Sequence, residues 1–294
     1  MIIGYIGLGN MGGPMCRNII KGGNEVVVFD LNPAAVQQCV EIGGKAGASL
    51  AETVAQADII MTSLPMPTDV EAVALGPGGI LENAKDGAIY VDLSTNSPTV
   101  VKRIAAALAE KGVKMLDAPV SGGVAGAEAA TIAIMIGGDR QAFQSCLPVF
   151  ESFGKKIVHT GELGSGSVAK LVNNMLAFCN MTAAAEAMML GAAAGIDHDT
   201  LSEVINNSSG ASFAYRTMNH KVKKGDWSPN FAINLANKDM RLALQLAEEL
   251  DVPMNIAPQV KAVFHAARSM GWGGDDVTAL MRVYETTMRR SVRD

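Results

Sequence analysis

Lys170 and Asn174 stand four residues apart, so a helix through them places both on one face, one turn apart. Between Glu162 and Glu186 that lysine is the sole charged residue. Its neighbours Val168, Ala169, Leu171 and Val172 are small or apolar. An ammonium in such a stretch either snorkels to water as an ordinary surface group or has a task inside a cleft. Burial disfavours the charged form of lysine and lowers its pKa, which is what proton transfer near neutrality needs. An amide one turn away is placed to hold a substrate oxygen or to orient the amine.

A second constellation lies at the start of the chain. The apolar run Ile2 to Ile6 leads into Gly7-Leu8-Gly9-Asn10-Met11-Gly12 and then a helix-like stretch. A second apolar strand ends at Asp30, eighteen residues past Gly12. Each part has its own job in holding a dinucleotide. Gly7 permits a tight turn, Gly9 lacks the side chain that would block a pyrophosphate, and Gly12 lets helix and strand pack closely. The helix N-terminus offers free N–H groups and partial positive charge to phosphates. Asp30 is placed to accept hydrogen bonds from ribose hydroxyls. A carboxylate there also repels a 2′-phosphate, and Leu31-Asn32-Pro33 supplies no arginine clamp, so NAD is expected ahead of NADP.

Three further places could carry chemistry. Asp117-Ala118-Pro119-Val120-Ser121-Gly122-Gly123 ends a strand in a glycine turn. It is either a plain tight loop or a nest of N–H groups that, with the Ser121 hydroxyl, grips a small carboxylate. Lys238-Asp239 is either a helix-surface ion pair of little worth or a lysine reaching substrate or cofactor. Ser94 and Thr95 are either turn residues or contacts of the nicotinamide end. Phe178, Ser209, Phe213, Arg216 and Phe231 are candidates for lining the substrate's side of the cleft. Arg216 would favour a second carboxylate, or else make a surface salt bridge.

Composition narrows the partners. At 294 residues with 49% apolar and 18% charged residues, the chain is a folded protein of one or two domains. The net charge of −5, without a basic run, argues against nucleic acid and anionic membrane surfaces. The four cysteines (16, 39, 146, 179) form no CxxC pair and the four histidines lack ligand spacing. That suits a reducing cytoplasm and argues against a zinc site. No leader is expected ahead of a strand that begins at residue 2. The stretch between Glu162 and Glu186 is long enough to span a bilayer, yet Lys170, Asn173, Asn174 and Asn180 would be costly in lipid. It reads instead as a helix buried in protein.

The elements that must position these residues follow from pattern. Strands are expected at 2–7, 25–30, 58–63, 88–93, 113–117 and 131–137, alternating with helices at 11–22, 33–42, 50–56, 68–74, 98–111 and 140–153. This is an α/β, Rossmann-type doubly wound domain with a parallel sheet. Ligands bind at the carboxyl ends of such strands, so Ser63-Leu64-Pro65, Ser94-Thr95-Asn96 and the 119–123 loop should ring the cofactor cleft. Gly161, Gly164 and Gly166 read as a flexible entry, with Ser165 or Ser167 as helix cap. Beyond it Ala, Leu and Met dominate. Helices are expected near 167–194, 198–208, 211–223, 234–250, 256–270 and 275–290. The division is a dinucleotide-binding domain at 1–162 and an all-α domain at 163–294.

Together these segments resemble the β-hydroxyacid dehydrogenase family. It includes 3-hydroxyisobutyrate dehydrogenase, tartronate semialdehyde reductase, 2-(hydroxymethyl)glutarate dehydrogenase and the glyoxylate/succinic semialdehyde reductases. Gly7 to Met15 resembles its cofactor signature, with Asn10 and Met11 inside it, and Asp117 to Gly123 its substrate signature. Gly164 to Asn174 resembles its catalytic signature, and Lys238-Asp239 matches a fourth position. The resemblance implies hydride transfer between a nicotinamide cofactor and a small β-hydroxy acid or semialdehyde bearing a carboxylate. Lys170 is implied as general acid and base, with Asn174 placing the substrate. Ser121, Gly122 and Gly123 are implied as carboxylate binders and Lys238 as closing over the site, and Ser208 to Phe213 resembles the family's variable substrate wall. Leu64, Pro65 and Thr95 fall among the implied cofactor contacts. The resemblance also implies that a long inter-domain helix joins the two domains, and that the protein is a homodimer or homotetramer built partly from the helical domain. 6-Phosphogluconate dehydrogenase resembles the same family but is a much longer chain with a need for a basic pocket. Imine reductases resemble a group without the lysine. A non-catalytic dinucleotide-binding module is the reading from a different class, and Lys170 speaks against it.

Overall fold

The computed structural model describes residues 1–293. The chain divides after Lys170 into two compact units, Met1–Lys170 and Leu171–Asp294. In the first unit strands and helices alternate: β1 (Ile2–Ile6), α1 (Gly12–Lys21), β2 (Glu25–Phe29), α2 (Pro33–Val40), β3 (Lys45–Ala46), α3 (Leu50–Gln56), β4 (Ile59–Thr62), α4 (Pro67–Leu75), α5 (Ile80–Asn83), β5 (Ile89–Asp92) and α6 (Pro98–Ala109). Then come β6 (Lys114–Asp117), β7 (Val120–Ser121), α7 (Gly123–Glu128), β8 (Ile132–Gly138), α8 (Arg140–Glu151) and β9 (Gly154–Gly161).

The sheet runs β3-β2-β1-β4-β5-β6-β8-β7, with β9 on β8. Strand order reverses between β1 and β4, which opens a crevice at their carboxyl ends. Strand residues alternate between two cores. Ile59 and Met61 of β4 join a cluster with Met15, Cys16 and Ile19 of α1 and Phe150 of α8. Ile60 joins the opposite cluster with Val54 of α3, Val70 of α4, and Val101 and Ile104 of α6. Helices therefore cover both faces, and that burial is what makes the strands near-continuous apolar runs.

The sheet is mixed rather than wholly parallel. β6 and β7 both pair antiparallel with β8. The cause is the short α7, whose six residues rise only about 9 Å and do not carry the chain back to start a parallel strand. β9 was outside the expected set. Its exposed Lys155 and Lys156 hide the alternation, as is common in strands that must avoid sticky edges.

The second unit is helical. α9 (Ser165–Ala193) runs through the division between the units, followed by α10 (His198–Asn206), α11 (Phe213–Lys224), α12 (Ile233–Glu249), α13 (Ala257–Ser269) and α14 (Met281–Met288). Its core joins Phe178, Met181, Ala185 and Met188 of α9 to Met218, Ile233, Met240, Phe264 and Leu280. Among the described residues α9 is the one helix long and apolar enough to cross a membrane. The single helix expected at 275–290 is divided. Asp276 caps a 3-10 turn, Val277–Leu280, by accepting from the Thr278 N–H at 3.1 Å, and only then does α14 begin.

Candidate functional site

The glycine turn follows β1 as its chemistry requires. Gly7 has φ +92°, a conformation that favours glycine. A Cβ on Gly12 would strike the Gly7 carbonyl oxygen, whereas one on Gly9 would stand in open space. Gly9 and Asn10 are exposed and Met11 is half-buried against the core. The turn thus leaves at Gly9 a cradle that a side chain would fill, which fits a pyrophosphate. Asp30 has a second task. Its Oδ2 accepts from Leu8 N at 2.6 Å and its Oδ1 from Asn32 N at 2.7 Å, so it pins the turn to the end of β2. A carboxylate has about four acceptor directions, so capacity for ribose hydroxyls remains.

A buried network sets the next two loops. Asp92, 1% exposed at the end of β5, accepts from Thr62 Oγ1, Ser94 N and Asn96 Nδ2 at 2.9, 3.0 and 3.1 Å. Burial pushes its pKa up, and the hydrogen bonds pull it back. Ser94 Oγ in turn accepts from Leu64 N at 2.9 Å. Ser94 is therefore a brace for the Leu64-Pro65 loop. Thr95 and Leu64 are half-buried and Pro65 is exposed at the same end of the sheet.

In the next loop the sequence reading divides. Gly122 and Gly123 have φ +139° and +65° and are exposed, with Ser121 half-buried on β7. Asp117 does not belong to that turn's outer face. It is 1% exposed, and its carboxylate accepts from Gly164 N at 2.8 Å and Ser167 N at 2.6 Å. Gly164 and Gly166, expected in a flexible entry, are buried, and the carboxylate holds Gly164 N. A Cβ on Gly137 would lie 2.5 Å from Asp117 Oδ1 and 2.8 Å from Gly166 N. Ser165 bonds Thr160 Oγ1 through its hydroxyl at 2.7 Å, so the first turn of α9 is held by Asp117 rather than capped by its own serines.

Lys170 is 8% exposed, which decides against a solvated surface lysine. Asn174, 7% exposed, follows one turn later on α9. Its amide is held on both sides: Oδ1 accepts from Asn173 Nδ2 at 3.1 Å, and Nδ2 donates to Asp239 Oδ2 at 2.7 Å. Asn173 itself is exposed. Asp239 Oδ1 lies 3.1 Å from Lys238 Nζ, with side chains 1% and 8% exposed. The surface-pair reading of Lys238-Asp239 is overturned. Asp239 joins Asn174 and Lys238 through one buried carboxylate, a role that sequence reasoning missed. The acid inside the apolar face of α12 was the available signal.

Phe231 is half-buried and stacks on Phe178 at 6.0 Å and 15°. Phe178 is buried and meets Phe264 edge-on, so it backs Phe231 from the core. Asp276 Oδ2 accepts from Asn230 N and Phe231 N, at 2.8 and 3.2 Å, and fixes the backbone at that ring. Ser209, Phe213 and Arg216 are exposed.

A doubly wound sheet with a glycine turn, an acid at the end of β2 and loops gathered at the switch point is a dinucleotide-binding domain. Known proteins agree. Residues 2–161 match the family described as the NAD binding domain of 6-phosphogluconate dehydrogenase. Residues 164–284 match the NAD-binding region of NADP-dependent 3-hydroxyisobutyrate dehydrogenase. The chain is 42% identical to 2-(hydroxymethyl)glutarate dehydrogenase of Eubacterium barkeri, over 96% of this chain and 94% of that one. It is 37% identical to 3-hydroxyisobutyrate dehydrogenase of Pseudomonas aeruginosa, over 96% and 98%. The solved 3-hydroxyisobutyrate dehydrogenase of Mycobacterium tuberculosis with L-serine superposes with TM-score 0.89 at 32% identity, covering 98% of this chain and 99% of that one. The chain belongs to the β-hydroxyacid dehydrogenase family. It is an NAD(P)-dependent oxidoreductase that moves hydride between the nicotinamide cofactor and a small hydroxy acid.

Proposed function

We propose that the substrate is a small carboxylate-bearing β-hydroxy acid and its semialdehyde, and that Lys170 is the general acid and base. The observation that carries this reading is the burial of a single amine on α9, one turn before an amide whose orientation is fixed. When bound, the nicotinamide supplies or accepts the hydride. Lys170 donates a proton to the carbonyl oxygen as charge grows there in reduction, and in oxidation neutral Lys170 takes the hydroxyl proton. Asn174 holds the substrate oxygen. Ser121 with the Gly122 and Gly123 N–H groups binds the carboxylate, Phe231 walls the substrate and Lys238 serves both ligands. Gly7, Gly9, Asn10, Met11, Gly12, Asp30, Leu64, Pro65 and Thr95 bind the cofactor, with NAD ahead of NADP because of Asp30.

In this reading residues 1–162 form the cofactor-binding domain, which also carries the carboxylate loop, and 163–294 form the helical substrate and oligomerisation domain. The protein works in the cytoplasm as a homodimer or homotetramer, without nucleic acid or membrane. The name of the Eubacterium barkeri relative supports 2-(hydroxymethyl)glutarate among the substrates to try. The test follows reduced nicotinamide at about 340 nm. NADH and NADPH are paired separately with methylmalonate, succinate and tartronate semialdehydes and glyoxylate, and NAD with 2-(hydroxymethyl)glutarate. For the productive pair, Lys170→Ala should lower kcat by at least about 100-fold with NADH affinity little changed. Undiminished turnover in that variant would discard the assignment.

A further inference from the structure

We propose that Asp117 is a positioning residue that fixes where Lys170 stands relative to the substrate loop, an inference resting on Lys170 as the acid and base. The first N–H groups of a helix lack acceptors within it. A side chain just before the helix usually supplies one. In α9 the acceptor comes from Asp117, 47 residues before Gly164 and 50 before Ser167. Both carboxylate oxygens are used, one for each N–H. Lys170 lies three residues past Ser167 on the same helix, about 4.5 Å further along its axis. Asp117 also begins the segment that runs to Ser121, Gly122 and Gly123. Ala118 N is anchored to Asp92 O at 2.7 Å, and Met135 N donates to Pro119 O at 3.0 Å. One buried residue therefore fixes the start of the carboxylate loop and the turn that carries the amine.

The junction has no slack. A Cβ on Gly166 would strike Met135 O and lie 2.5 Å from Asp117 O. Thr160 Oγ1 adds a clamp, donating to Ile136 O at 3.0 Å and meeting the Ser165 hydroxyl at 2.7 Å. Proton transfer requires donor and acceptor within hydrogen-bond reach, and a displacement of about 1 Å at such a group costs on the order of 100-fold in rate.

The experiment is a double-mutant cycle on the full-length enzyme. Asp117→Asn offers one oxygen to one N–H and turns its NH2 toward the other N–H. Alone, it should lower kcat at least about tenfold, with KM for the semialdehyde and NADH affinity each changed less than about threefold. In the Lys170→Ala background the same change should lower the residual rate less than about twofold, because the positioned group is already gone. Gly166→Ala keeps the carboxylate but displaces the turn. It should give the same pattern, and it carries the test alone if Asp117→Asn does not fold. Full additivity with Lys170→Ala, unchanged kcat, or a parallel fall in NADH affinity would overturn the proposal. Full activity of Lys170→Ala by itself would instead remove the acid–base assignment, so the two failures are distinct.

Discussion

Asp239 offers the sharpest quantitative test. Its carboxylate accepts from Asn174 at 2.7 Å and faces the Lys238 ammonium at 3.1 Å, with all three side chains buried. At an effective dielectric near 20, a pair at this distance attracts by about 5 kcal/mol before desolvation is subtracted. Removing one partner of a buried pair costs about 3–5 kcal/mol, because the other charge stays buried. Losing a hydrogen bond to a charged group costs about 1.5–3 kcal/mol. The two losses share one carboxylate and do not add. Asp239→Ala should therefore cost about 4 kcal/mol. Asp239→Asn, which keeps one acceptor oxygen, should cost about 2 kcal/mol. At about 2–4 °C per kcal/mol for a chain of this order, calorimetry should find the Ala variant melting about 8–16 °C lower and the Asn variant about 4–8 °C lower. Both should also lose turnover, since Asn174 loses the acceptor that orients it. Melting within about 2 °C of wild type for both variants, with turnover intact, would refute the view that this carboxylate organises the two side chains.

Two other outcomes follow from the same physics. Asp226 is held down to about 2 by the Ser228 hydroxyl and N–H and by the Lys221 ammonium. A depressed acid stabilises the fold above its unfolded pKa, and that stability is lost as pH falls toward the folded value. Urea midpoints of wild type and Asp226→Asn should therefore differ at neutral pH and converge as pH falls from about 4 toward 2; a constant gap would contradict the assignment. Cys146 is fully buried and its thiol is pushed up to about 12. Iodoacetamide at about pH 8 should leave it unmodified in the native enzyme and alkylate it in denaturant. Native labelling, read by peptide mass mapping, would contradict that burial.

The fold was legible where periodicity and burial coincide. Ile59-Ile60-Met61 reads as a strand because helices cover both faces of it, and the glycines of the first turn announce a conformation other residues resist. Reading failed where geometry comes from elsewhere in the chain. β9 shows lysines to solvent, so its pairing with β8 leaves little local trace. The glycines before α9 look like a hinge in sequence, because nothing nearby says that Asp117 is their partner. Lys170 and Asn174 could be singled out by composition and spacing. Their surroundings could not, since Asp239 lies 65 residues beyond Asn174.

The residues whose structural roles were missed share one chemistry. Asp92, Asp117, Asp239 and Asp276 are all nearly inaccessible to water, and each bonds or faces groups that belong to a loop, a helix start or a candidate site side chain. Burying a carboxylate is costly unless its oxygens are satisfied. An amide in its place would offer one acceptor and two donors, and would set donors against the N–H groups that Asp92, Asp117 and Asp276 receive. Only a carboxylate brings two acceptor oxygens on one short, stiff stem. Asp92 and Asp117 end adjacent strands, β5 and β6, at paired positions of the register. Their placement puts acceptors at the carboxyl edge of the sheet, where the chain must leave regular pairing and its N–H groups need new partners. The loops that follow β4 and β5 are therefore held in part by a fixed acceptor within the sheet, beside the conformations that their own residues favour.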